Sequence, residues 1–211
     1  MLLFDAIQVT RQAIPGSATT KRESPTLVTF TSKHPLIAMT KGILSSKKVL
    51  VSGGTGFVGS ATVRALAEKY PDCAVTILDR SPPRPEHALP DRIACLQVDI
   101  TSAEEVSKAL QVVKPDVVVH TAGIVPALAD RFGRAREREV WKINVEGTRN
   151  VLNAAKETGV TGFIYTSTCC VTTDDMNLPY PNINEAWPTS PHSLIYGESK
   201  VRLCLLSFIH Y

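Results

Sequence analysis

The chain has 211 residues, 44% of them hydrophobic and 20% charged, with a formal net charge of +3. That length suits one large domain and that balance suits a soluble globular fold. So small a charge makes no electrostatic case for nucleic acid or for an acidic membrane surface as partner.

Residues 1–46 are rich in Ser, Thr and Pro and show no sustained period of 3.6 or 2. Basic residues (Arg11, Lys21, Arg22, Lys33, Lys41) outnumber acidic ones (Asp5, Glu23). The segment reads as a disordered leader, or as sequence upstream of the true start with Met39 as a natural first residue. A mitochondrial transit peptide, also basic and Ser-rich, is the alternative. MLLFDAIQV lacks the basic start of a secretory signal and carries Asp5. No apolar run approaches the roughly 20 residues of a membrane-spanning helix. A cytoplasmic location is therefore expected. The five cysteines (Cys73, Cys95, Cys169, Cys170, Cys204) have no metal-ligand spacing and are expected as reduced, buried small hydrophobes.

From Lys47 onward strand and helix signals alternate. A short apolar run at 49–52 leads into a glycine cluster, and 57–69 has helical spacing. Strands are predicted at 74–79 and 93–99. Between them, 81–90 holds Pro82, Pro83, Pro85 and Pro90 and reads as an irregular connection with no assigned chemistry. Ser102 and Glu105 have capping-box spacing and open a helix to Val113. Residues 117–120 form a fourth strand. A long helix spans 137–158 and is closed by Gly159 at its C′ position. A fifth strand lies at 163–167. This alternation predicts an α/β fold, a doubly wound parallel sheet of Rossmann type over residues 47–211. The runs VVVH and FIYTS lack polar alternation and are expected to be buried on both faces.

The segment SGGTGFVG at 52–59 places Gly53, Gly56 and Gly59 between a strand and a helix. The first glycine permits a tight turn, the second a close approach to a pyrophosphate, the third close helix–sheet packing. The phosphates would meet the positive helix N-terminus, with Thr55, Phe57 and Val58 in the same loop. Asp79 ends the second strand and can accept hydrogen bonds from a ribose diol, which favours NAD. Arg80 beside it could pair with a 2′-phosphate, so NADP stays open as the second choice.

Tyr196 and Lys200 stand four apart in YGESK and share one helical face. A tyrosine is ordinarily a poor base at neutral pH, with a pKa of about 10. A nearby ammonium favours its phenolate and suits the pair to taking a proton from a substrate hydroxyl. Ser167 and Thr168 end the fifth strand, where ligands sit in such sheets, and could hydrogen-bond the reacting oxygen.

In this order the three elements resemble the extended short-chain dehydrogenase/reductase family, over about residues 48–200. The resemblance implies a catalytic set of Thr168, Tyr196, Lys200 and Asn144, with Asn144 supporting the lysine through water. It implies cofactor contacts from Asp99 and Ile100 after the third strand, from Thr121, Ala122 and Gly123 after the fourth, and from Tyr196 and Lys200. VHTA at 119–122, NVEGTRNV at 144–151 and YTS at 165–167, followed by VTT at 171–173 in place of Val-Tyr-Gly, resemble the 3β-hydroxysteroid dehydrogenase branch, which includes sterol 4-carboxylate 3-dehydrogenases. That branch implies NAD(P)-dependent oxidation of a sterol or steroid 3β-hydroxyl, a homodimer in some members and an association of full-length members with the endoplasmic reticulum membrane. Two other readings stay open: a nucleotide-sugar epimerase or dehydratase, and a catalytically silent nucleotide-binding fragment. Family members continue beyond the tyrosine helix, so the chain is expected to lack a C-terminal substrate lobe.

Overall fold

The computed structural model describes residues 7–9, 46–127, 130, 134–172, 182–184, 187 and 194–209. Most of the leader, and Thr173 of the VTT run, lie outside them. The elements in chain order are β1 (Ile7–Val9), β2 (Lys48–Ser52), α1 (Phe57–Lys69), β3 (Ala74–Asp79), β4 (Ala94–Gln97), α2 (Ala103–Val113) and β5 (Val117–His120). They are followed by a long helix α3, by β6 (Gly162–Thr166) and by α4 (Ile195–Ile209). Helix α3 runs through Glu137–Val140, a π-helical turn at Trp141–Gly147 and Thr148–Glu157. No helix among the described residues is long and apolar enough to cross a membrane.

The sheet order is β1-β6-β5-β2-β3-β4. Strands β2 to β6 pair in parallel, and β1 pairs antiparallel to β6. The chain reverses its direction of travel across the sheet between β2 and β5, which is where doubly wound sheets open a ligand crevice at their carboxyl ends. The sequence reading placed no element before Lys47. A three-residue strand is too short to display a period of 2, and β1 pairs with the β6 edge.

Local chemistry accounts for the helix ends. Ser102 Oγ accepts the Glu105 N–H at 3.3 Å, while the Glu105 carboxylate accepts the Asp99 N–H at 3.0 Å. Gly159 has φ +74°, and the Val160 and Gly159 amides donate to the Ala155 and Lys156 carbonyls at 3.0 and 3.2 Å. This is the six-to-one and five-to-two pairing that terminates a helix on glycine. The third strand is shorter than its apolar run. Asp99 leaves the ladder because its side chain accepts the Thr101 N–H at 2.9 Å and its own amide goes to Glu105.

Two apolar layers sandwich the sheet. On one face Leu50, Leu78, Val118, Phe163 and Tyr165 meet Val106 and Leu110 of α2 and Val151, Leu152 and Ala155 of α3. On the other, Val49, Val51, Val75 and Ile77 meet Val63 of α1. Leu50, Val106, Leu110 and Val118 are fully buried, each worth about 1.5–3 kcal/mol relative to exposure. The expectation of two fully buried faces on β5 and β6 needs correction. Burial alternates along both strands, with Val118 and His120 buried and Val117 and Val119 only half-buried. Among the described elements, the helix on that second face is α1, and it centres on β2 and β3.

Candidate functional site

A cleft of about 540 Å³ opens at the carboxyl ends of the parallel strands. Its walls include Gly53, Thr55, Gly56, Phe57, Val58 and Gly59 from the β2–α1 turn. Asp79 ends β3 and Arg80 follows it, Asp99 and Ile100 follow β4, and Thr121, Ala122 and Gly123 follow β5. Tyr196 and Lys200 of α4 close the other end. The fold thus gathers onto one cleft every residue that the sequence reading assigned to a cofactor. Thr168 and Asn144 are not among the residues lining it.

The glycine turn is sterically required. Gly53 has φ +74°, and a Cβ there would stand 2.6 Å from Ala122 Cα, so the loops after β2 and β5 touch backbone to backbone. A Cβ on Gly59 would collide with the Gly53 carbonyl oxygen. Helix α1 begins with no side-chain cap and no acid in its first turn. Its positive end and first amides therefore face the cleft uncompensated, an arrangement that attracts phosphate.

The two acids of the cleft, one ending β3 and one following β4, are fixed by backbone. Asp79 accepts the Thr55 N–H at 3.2 Å on one oxygen and the Ser81 N–H at 3.1 Å on the other. Asp99 is held below the usual carboxylate range mainly by the Thr101 N–H, with help from the Arg80 and Lys142 charges against a partial burial cost. The loop after β3 was read as chemically silent, yet Ser81, Arg84 and His87 line the cleft, and His87 stands edge-on to the exposed Phe57 ring with centroids 6.2 Å apart. The available signal was position: the loop leaves a parallel strand at its carboxyl end.

At the other end, Lys200 is 4% exposed. Its ammonium donates to the Thr166 carbonyl at 3.0 Å, and it lies 4.8 Å from the Tyr165 ring centre and 5.7 Å from that of Tyr196. The π-helical turn carries Asn144, which is buried and fully engaged. Its Oδ1 accepts the Ile124 N–H at 2.8 Å, and its Nδ2 donates to the Ile124 carbonyl at 3.0 Å and to Ser199 Oγ at 3.1 Å. The Ser199 hydroxyl donates in turn to the Tyr196 carbonyl at 2.7 Å. The side chain of Asn144 therefore ties the loop after β5 to the helix of Tyr196 and Lys200. Thr168 is buried, and its Oγ1 accepts the Cys170 N–H at 3.3 Å.

Sequence reasoning missed the polar node beneath the cleft. His120 is fully buried at the end of β5, with Nδ1 2.5 Å from Ser52 Oγ and Nε2 2.7 Å from Thr148 Oγ1. Its ring stacks on Tyr165 with centroids 5.9 Å apart. Burial, reinforced by the Lys200 charge, pushes its pKa down to about 3. The cysteines also depart from expectation. Cys73 is buried, but Cys95 and Cys169 are exposed and Cys170 is partly so, because β4 is an edge strand and the turn after Thr168 lies beyond the sheet.

The pattern of the "NAD dependent epimerase/dehydratase family" matches residues 49–205. Mouse 3 beta-hydroxysteroid dehydrogenase type 7 is 38% identical over 157 residues, covering 72% of this chain and 41% of that protein. The sterol-4-alpha-carboxylate 3-dehydrogenase (decarboxylating) of Candida albicans is 32% identical over 164 residues, covering 74% and 44%. Among solved structures, a Thermus thermophilus UDP-glucose 4-epimerase in complex with NAD superposes with a TM-score of 0.65 at 25% identity, covering 77% of this chain and 50% of that one. The chain spans less than half the length of these two curated relatives.

Proposed function

Because this chain belongs to the NAD-dependent epimerase/dehydratase family, we propose that its cleft binds NAD and that it serves the oxidation of a sterol or steroid 3β-hydroxyl to the ketone. The observation that carries this reading is the buried Lys200 ammonium beside the Tyr196 ring, at one end of a cleft whose other end is the glycine turn. The glycine turn, Asp79 and Asp99 would hold NAD, which would supply a hydride acceptor. Tyr196 takes the hydroxyl proton, its phenolate favoured by Lys200. Thr168 orients the substrate oxygen. Asn144 acts as a positioning residue through Ser199, which sits between Tyr196 and Lys200 on the same helix. The uncapped α1 terminus and the close Gly53–Ala122 approach fit a pyrophosphate, and the backbone-fixed carboxylates of Asp79 and Asp99 fit a ribose and an adenine.

The sterol reading is supported by the mouse and Candida relatives. A nucleotide-sugar epimerase is the second reading, favoured by the Thermus structure. A protein of full family length carrying this sequence should reduce NAD when given a 3β-hydroxysterol, followed by nicotinamide absorbance, and should leave UDP-glucose unconverted. UDP-sugar epimerisation with no sterol turnover would overturn the first reading in favour of the second. Calorimetric titration of the present chain should give tighter binding of NAD than of NADP. The opposite order would mean that Arg80, not Asp79, governs the ribose site.

A further inference from the structure

Directly after Thr168 the chain places two cysteines side by side in a 3-10 turn, Cys169–Val171. The turn is held from both ends. Thr168 Oγ1 accepts the Cys170 N–H at 3.3 Å, the Val171 and Thr172 amides donate to the Thr168 and Cys169 carbonyls at 3.3 and 3.1 Å, and the Thr172 hydroxyl donates to the Cys169 carbonyl at 2.9 Å. Both thiols are free. Cys169 is exposed and Cys170 half-buried. They are close enough to share a side-chain hydrogen bond. Partial burial, with a smaller contribution from the neighbouring thiol, raises the Cys169 pKa, so Cys169 stays protonated at neutral pH.

We infer that Cys169 and Cys170 form a vicinal dithiol site for trivalent arsenicals and like thiophilic ligands, immediately beside Thr168. Two thiols on adjacent residues of one turn can close a ring on one arsenic atom through a single peptide bond. With a hydrated arsenoxide, two S–H and two As–O bonds break, two As–S bonds form, and two waters leave. Arsenic stays trivalent, so no oxidant or reductant is needed, and protonated thiols are competent. The remaining cysteines lack this pairing among the described side chains: Cys73 lies in the core under α1, and Cys95 sits alone on the β4 edge.

The test is intact-mass analysis of the reduced chain with phenylarsine oxide. One phenylarsenic group per chain is expected, removed by 2,3-dimercaptopropanol but retained in a matched concentration of 2-mercaptoethanol. Peptide mapping should place it on Cys169 and Cys170. Cys169→Ser and Cys170→Ser should each lose the adduct completely, while Cys73→Ser, Cys95→Ser and Cys204→Ser keep it. No adduct, an adduct mapped elsewhere, or one that survives in either Cys169→Ser or Cys170→Ser would overturn the site, and mapping on the unsubstituted chain decides it even if a variant folds poorly. The consequence for turnover rests on the proposed reaction. In a full-length protein the adduct should abolish sterol oxidation by crowding Thr168, with NAD affinity unchanged. A complete adduct with undiminished turnover would count against Thr168 and leave the dithiol site standing.

Discussion

Replacing Tyr196 by Phe, in a protein of full family length, is expected to lower kcat/KM for the alcohol by a factor on the order of 10² to 10⁴, the usual range for a lost general base. That corresponds to roughly 3–5 kcal/mol of transition-state stabilisation. The ring stays, so its packing beside the buried Lys200 ammonium is conserved. What disappears is the one oxygen proposed to receive the substrate proton. NAD affinity should be unaltered, because the proposed pyrophosphate site, the β2–α1 turn and the α1 terminus, lies on the opposite side of the cleft. Stopped-flow turnover and calorimetry on the same preparation separate the two quantities. A fall in NAD affinity matching the fall in turnover would assign Tyr196 to binding, and near-normal turnover would remove it from the chemistry.

Acid should destabilise this fold well above the carboxylate range, through His120. In the folded protein burial and the Lys200 charge hold the imidazole neutral down to about pH 3. In the unfolded chain a histidine takes its proton near pH ~6.5. Below that value the unfolded state binds more protons than the folded one, so stability falls as pH falls, by up to about 1.4 kcal/mol per pH unit, until the folded imidazole also protonates. Integrated over that window, the loss is on the order of several kcal/mol. Asp99 and Asp116, whose folded pKa values are lowered mainly by the Thr101 and Lys48 amides, add their losses only once the pH approaches the carboxylate range. The interval from about 6.5 to 4.5 therefore separates the histidine from these two carboxylates. Urea unfolding across it should show the decline, and His120→Asn should flatten it even if its stability at pH 7 is lower. An equal slope in both proteins would put the proton elsewhere.

His120 also marks where the sequence stops being informative. The strand–helix alternation, the span of α1, the Ser102 cap and the Gly159 stop were legible because each depends on residues within a few positions of one another: a period of 3.6, a side chain reaching three residues on, a glycine free to adopt positive φ. The glycine turn was legible for the same reason, and the YxxxK pair because one helix face joins its members. Where partners are distant, local spacing carried no signal. Ser52 and His120 meet across 68 residues and Asn144 and Ser199 across 55. Periodicity tells which face of a strand is buried, but it does not tell what stands opposite. The expected double burial of β5 failed on that point, since an unbroken valine run is compatible with one covered face or two. The proline-rich loop after β3 was likewise silent as sequence and lines the cleft because β3 delivers its end there. Sequence alone determined the strand–helix alternation after Lys47, the glycine turn and the shared helical face of Tyr196 and Lys200. The sheet order decided which side chains share a buried space, and with it the neutrality of His120 and the clasp of Asn144, because a polar group taken out of water must find its partner across the fold.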